Sequence, residues 1–163
     1  DLATLKEVGN RTIFNTRSLG VAHTPCIMPS SGKPSFQIGD DEMEIGVGHH
    51  GEPGIQRTKM MTADEVTTLI TQKILEDLPF RAGDEVSVLM SGLGSTSLLE
   101  MYICYRKLHQ ILTDHQINVH RNYIGEFFTS MEMGGFSITL TKLDEDLKRL
   151  IDAPCDGVHL IQY

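Results

Sequence analysis

Apolar and polar residues along the chain alternate between helical spacing and a two-residue period. Over residues 2–17, Leu2, Leu5 and Val8 recur on one side and predict a helix. Leu19 to Thr24 reads as a short strand that stops before Pro25. Residues 25–34 gather Pro29, Ser30, Ser31 and Gly32 and predict a loop, with irregular chain continuing from Phe36 to Asp41. Glu42 to Val47 predicts a strand that runs into a glycine-rich loop. Thr62 and Glu65 then stand at capping-box spacing, where hydroxyl and carboxylate satisfy the exposed N–H groups of a helix start. Val66, Leu69, Ile70, Ile74 and Leu78 follow on one helical face, and Pro79 ends the segment.

Glu85 to Met90 predicts a strand, and Gly92-Leu93-Gly94 a tight turn. Ser97 with Glu100 forms a second capping box, and Leu98, Tyr102, Tyr105, Leu108 and Leu112 extend a helix over residues 97–115 that packs on the sheet. Ile117 to Thr129 is rich in aromatic and β-branched residues and predicts a strand, after which Gly134-Gly135 breaks the chain. Phe136, Ile138 and Leu140 alternate with Ser137, Thr139 and Thr141, the period of a strand with one buried face. Asp144 to Ile151 forms a short helix, with acids first and Lys148 and Arg149 near its end, as the helix dipole favours. This order implies an α/β (or α+β) fold with a mixed β-sheet covered by helices. The two late strands, separated by a short break, suggest an antiparallel pair.

With 163 residues the chain is long enough for one domain, 1–163, with a real core. At 40% hydrophobic and 22% charged, its composition is that of a soluble globular protein. No apolar run approaches the ~20 residues of a membrane span, and no basic start followed by an apolar stretch marks a signal peptide. A net charge of −8 argues against nucleic acid as a partner, because binding phosphates needs a basic face. Cys26, Cys104 and Cys155 are odd in number and lack Cys-x-x-Cys spacing, so they read as reduced packing residues of a cytoplasmic protein. The chain opens on Asp1 and enters a helical pattern almost at once, which reads as the interior of a longer protein cut at a domain boundary.

The densest group of reactive side chains runs from Asp40 through Glu42 and Glu44 to Gly46-Val47-Gly48-His49-His50-Gly51-Glu52-Pro53-Gly54. Glycines on both sides of the histidine pair allow close approach to a ligand, and imidazole suits work near neutral pH as base, ligand or nucleophile. Three readings stay open on residue type alone. The commonest is a surface loop with incidental histidines. A second is a metal site of His49 or His50 with Glu42, Glu44 or Glu52; adjacent histidines diverge from an extended chain, and no His-x-x-x-His is present, so no metal is expected. The third is catalysis by one histidine on a small substrate. Ser91-Gly92-Leu93-Gly94-Ser95-Thr96-Ser97 could face a phosphate, but no Lys follows the glycines, and a tight turn with a good N-cap is the commoner outcome. His23, His109, His115, His120 and His159 read as surface or satisfied-core residues. Most methionines read as core, with Met131 and Met133 in a flexible connection.

The residues also carry a resemblance. Gly32-Lys33-Pro34-Ser35-Phe36, Glu42 to Gly48, and His50-Gly51-Glu52-Pro53-Gly54-Ile55 resemble the dihydroxyacetone (glycerone) kinase family. Further likenesses follow at Leu93-Gly94 with Glu100 and Tyr102, Arg121 to Gly125, Thr129-Ser130 with Met133, Gly135 to Leu140, and Asp152-Ala153-Pro154. The resemblance spans nearly the whole chain and implies the C-terminal half of a two-domain substrate-binding subunit, whose N-terminal domain lies outside this sequence. It implies that His50, by motif match, attacks the substrate ketone to form a covalent hemiaminal, with Gly51 and Glu52 as neighbouring binding residues. General acid/base groups would come from the other domain. ATP or ADP with Mg would sit on a partner domain or subunit, or the donor would be a phosphotransferase-system protein. A dihydroxyacetone-sensing co-regulator without kinase activity is a further implied reading, and, apart from the resemblance, an exposed edge of the predicted sheet would favour a dimer. His49 stands where the family usually has an aliphatic residue and is expected to face solvent. Ser91-Gly92 replaces the family's usual Asn-Asn.

Overall fold

The computed structural model describes residues 1–50 and 52–163. In chain order its elements are α1 (Leu2–Phe14), β1 (Thr16–Thr24), β2 (Ile27–Met28), β3 (Lys33–Pro34), β4 (Glu42–Ile45), β5 (Gln56–Lys59), α2 (Ala63–Asp77), β6 (Glu85–Gly92), α3 (Leu98–Asp114), β7 (Asn118–Gly125), β8 (Gly134–Leu143), α4 (Glu145–Ile151), β9 (Cys155–Asp156) and β10 (Ile161–Gln162). Six strands form one sheet in the order β5-β4-β1-β8-β6-β7, while β2–β3 and β9–β10 are small separate ladders. Among the described strands of this sheet only β6 and β7 pair in parallel, so the sheet is mixed, as the element order implies.

The two late strands do not pair with each other. β6 lies between them, parallel to β7 and antiparallel to β8. The βαβ crossover through α3 places β7 on one side of β6, and the other side of β6 is filled by β8, which also pairs with β1. The first helix ends at Phe14, earlier than its periodicity predicts, because Thr16, Arg17 and Ser18 are drawn into the β1–β8 ladder. Its expected apolar face is not covered: α1 buries no residue, and Leu2 and Leu5 are exposed. β5 is an edge strand of Gln, Arg, Thr and Lys, a composition with no apolar alternation to announce it.

The core lies between one face of the sheet and the pair α2/α3. Val21, Ile45, Val86, Val88, Met90, Phe136, Ile138 and Leu140 meet Val66, Ile70 and Ile74 of α2 and Met101, Cys104, Leu108 and Leu112 of α3. Both predicted capping boxes are present, Thr62 with Glu65 and Ser97 with Glu100. The buried stripe of α3 is rotated from the expected one: Met101, Cys104 and Ile111 join Leu108 and Leu112, and Leu98 and Tyr102 are half exposed. A second, smaller core of Ala22, Cys26, Val47, Leu93 and Met133, with Phe36 packed against it, sits beneath the β4–β5 connection. Met133 is therefore fully buried rather than part of a flexible connection. No helix among the described residues is long and apolar enough to cross a membrane.

Candidate functional site

Residues 46–55 connect two antiparallel neighbours, β4 and β5, and this connection carries both histidines. The loop leaves β4 through Gly46, whose φ of 80° suits glycine, and the Gly46 N–H donates to the Gly20 carbonyl at 2.7 Å. Val47 then turns into the second core and pins the loop to the sheet. Gly48 N–H donates to the Glu52 carbonyl at 3.1 Å, and Ile55 N–H to the Ile45 carbonyl at 2.8 Å. A Cβ on Gly48 would overlap the Glu52 carboxylate. That glycine is required by the place Glu52 occupies.

His50 points outward, with 82% of its side chain exposed. Its Nδ1 lies 3.3 Å from Glu52 Oε1, and its backbone N–H donates to Glu52 Oε2 at 3.1 Å. The Glu52 carboxyl is held below the usual carboxylate range, first by its own backbone N–H and then by His50. One carboxylate thus grips both the main chain and the ring of the same histidine. With an Nδ1–H facing Glu52, the free lone pair of the imidazole is on Nε2. Gly51, expected beside the substrate, lies outside the described residues.

His49 goes the other way. Its ring packs on Phe128 with centroids 4.3 Å apart at 49°, and its Nε2 is buried without a hydrogen-bond partner. Burial pushes its pKa down, with His50 adding to the effect, so the ring is neutral at neutral pH. The expectation that His49 faces solvent is incorrect: an aromatic residue from the β7–β8 connection offers it an apolar partner. The two histidines diverge, although they lie in a turn and not in extended chain.

The carboxylates upstream are engaged in structure. Glu44 is buried, accepts from Arg57 Nη2 at 2.9 Å and from Gly54 N–H at 2.7 Å, and has its pKa lowered chiefly by Arg57. Glu42 accepts from Gly39 N–H at 2.9 Å. Among the described residues no group of three or more His, Cys, Asp or Glu side chains could hold a metal ion. The Ser91–Ser97 turn is likewise committed. Ser97 caps α3, Thr96 Oγ1 accepts from Gly135 N–H at 2.8 Å, and Ser91 Oγ accepts from Phe127 N–H at 3.1 Å and Phe128 N–H at 2.9 Å.

That last pair of bonds introduces residues the periodicity misassigns. Residues 126–129 read as strand, yet β7 ends at Gly125, and with Ser130 they form the loop that supports His49. Phe128 supplies the tilted aromatic partner, and Ser130 Oγ donates to the His49 carbonyl at 2.6 Å. Glu126 lies against Gly92 with Oε2 buried and unpartnered, and burial raises its pKa. No local signal marks these residues, because their hydrogen-bond partners are 36 to 81 positions earlier in the chain.

The Dak1 domain family model matches residues 1–159. The chain is 43% identical over 156 residues to the "PTS-dependent dihydroxyacetone kinase 2, dihydroxyacetone-binding subunit DhaK" of Listeria innocua, a match covering 96% of this chain and 47% of that protein. In structure it is similar to the dihydroxyacetone kinase operon co-activator DhaQ, with a TM-score of 0.91, 25% identity, and coverage of 98% of this chain and 50% of the other. It is also similar to the dihydroxyacetone kinase from C. freundii in complex with AMP-PNP and Mg2+, with a TM-score of 0.83, 28% identity, and coverage of 94% and 28%. The chain thus spans about half the length, or less, of the proteins it matches. A match across nearly all of its residues, joined to a sheet and a histidine loop of the expected kind, establishes that this chain belongs to the Dak1 domain family.

Proposed function

We propose that this chain is the His50-bearing half of a cytoplasmic dihydroxyacetone kinase substrate-binding subunit, and that His50 captures dihydroxyacetone as a covalent hemiaminal. The observation that carries the reading is the grip of Glu52 on His50, through Nδ1 at 3.3 Å and the backbone N–H at 3.1 Å, with the rest of the ring turned outward. That grip selects the tautomer whose Nε2 can attack a carbonyl carbon. The step balances simply. The Nε2–C bond forms as the C=O π bond breaks; the carbonyl oxygen takes up a proton, and the Nδ1 proton departs toward Glu52. A glutamate carboxyl is ionised at neutral pH and is therefore free to receive that proton.

Covalent capture fixes the terminal hydroxyl for phosphoryl transfer and selects ketones and aldehydes over glycerol, which has no carbonyl. Size exclusion alone discriminates one small group by only about 1–3 kcal/mol. Because His50 stands exposed on this chain, the remaining walls of the site belong, in this reading, to the preceding half of the subunit, together with the acid/base groups. The phosphoryl donor, a nucleotide with Mg or a phosphotransferase-system protein, belongs to a partner domain or subunit, and the working subunit is a homodimer.

The test uses the complete subunit with dihydroxyacetone labelled at the carbonyl carbon. Carbon-13 NMR is expected to show the ketone signal converting to a saturated carbon in the wild type and not in His50→Ala. An adduct in His50→Ala equal to wild type would refute the assignment. The similarity to an operon co-activator favours a second reading, in which the same capture serves sensing without phosphorylation. Formation of dihydroxyacetone phosphate by the complete subunit with its donor partners separates the two.

A further inference from the structure

Ser130 lies in the β7–β8 connection, 81 positions after His49, and is buried. Its N–H donates to the Leu93 carbonyl at 2.8 Å, its carbonyl accepts from Met133 N–H at 3.0 Å, and its hydroxyl donates to the His49 carbonyl at 2.6 Å. A single residue thereby joins the β6–α3 turn and the β7–β8 connection through its backbone, and the β4–β5 loop through its side chain.

The acceptor matters. The carbonyl of His49 and the N–H of His50 belong to one peptide unit, which is planar and rigid. Its oxygen is held by Ser130 at 2.6 Å and its N–H by Glu52 Oε2 at 3.1 Å. The unit is held at both ends, one anchor buried and the other within the loop itself. The Cα of His50 is fixed by that unit, so a ring that is 82% exposed keeps freedom only about its own side-chain bonds, and Glu52 restricts those. An exposed side chain on an unanchored loop would have to be ordered at the moment of reaction, which is costly.

We infer that Ser130 is a positioning residue for His50, acting through the His49–His50 peptide. The chemical meaning of this inference rests on the hemiaminal reading, whereas the clamp itself rests on geometry alone. Two measurements on the complete subunit keep them apart. The first is hydrogen exchange of the His50 amide in wild type, Ser130→Ala and Ser130→Thr. Loss of the clamp is expected to speed this exchange about 10- to 100-fold in Ser130→Ala, with amides of β6 and β8 exchanging at wild-type rates and Ser130→Thr restoring protection. The second is the rate of adduct formation with carbonyl-labelled dihydroxyacetone, expected to fall by about 10- to 100-fold in Ser130→Ala and to recover in Ser130→Thr. Unchanged His50 exchange in Ser130→Ala overturns the inference whatever the adduct does. Faster exchange confined to the loop, in a subunit whose wild type forms no adduct, upholds the clamp and defeats the hemiaminal reading.

Discussion

Ser91→Ala removes one oxygen atom and is expected to cost far more than a surface serine would. Ser91 is 1% exposed, and its hydroxyl accepts from two consecutive amides, Phe127 N–H at 3.1 Å and Phe128 N–H at 2.9 Å. Both donors sit in a half-buried loop beneath the His49–Phe128 contact, with no backbone ladder to take over once β7 has ended. Each buried donor left without a partner costs about 1–3 kcal/mol, and some water reaches a half-buried amide, so the pair together costs about 2–4 kcal/mol. For a chain of this length that lowers the melting temperature by about 5–15 °C. Urea unfolding followed by circular dichroism measures the first number and a thermal scan the second. Ser87→Ala is the control: Ser87 sits on the same strand, is 7% exposed, and makes no side-chain hydrogen bond among the described residues, so its loss is expected to stay below about 0.5 kcal/mol. Equal effects of the two substitutions would refute the reasoning, because burial rather than the two amide bonds would then set the cost.

Other consequences follow from the same geometry. Glu44 is held below its ordinary 4.5 chiefly by Arg57, so its contribution is present above that value and lost as pH falls through the lower folded value; Glu44→Gln is expected to flatten melting temperature against pH on the acid side only. His49→Phe keeps a ring on Phe128 and removes the unpartnered Nε2, and is expected to leave stability unchanged or raise it by about 1 kcal/mol in urea titration. A loss above about 1 kcal/mol would mean that Nε2 has a partner. Gly48→Ala puts a methyl group where the Glu52 carboxylate lies; ligand titration of the complete subunit is expected to show about 10- to 100-fold weaker dihydroxyacetone capture, and unchanged capture would show that Glu52 does not need that place.

The helices of the core, and both of their starts, are legible in the sequence because a capping box and an amphipathic stripe are local properties of a few neighbouring residues. Thr62 with Glu65 and Ser97 with Glu100 specify two N-termini without help from the rest of the chain. The alternation through Phe136, Ile138 and Leu140 identifies the central strand and its buried face for the same reason. Where a segment's fate depends on a distant partner, the local pattern misleads. Thr16 and Arg17 fall within the expected helix and become strand because Thr141 and Leu140 pair with them. The all-polar β5 has nothing to bury and takes its form from β4.

The candidate site divides along the same line. Which histidine to choose was not readable from residue type, since His49 and His50 share one loop and the same glycine neighbours; the motif resemblance pointed to His50. The sequence alone determined that a histidine loop lies at a strand end, and that Glu52 stands near enough to matter, because both are facts of short range. Only the tertiary structure decided that His49 turns inward onto Phe128, that Ser130 holds the peptide before His50, and that Ser91 supports the loop carrying both. Those contacts join residues 37 to 81 positions apart, and a sheet whose strand order departs from chain order brings them together. No periodicity along the chain can encode which distant loop a side chain will meet. That is settled when β8 inserts between β1 and β6 and carries the preceding loop to the histidines.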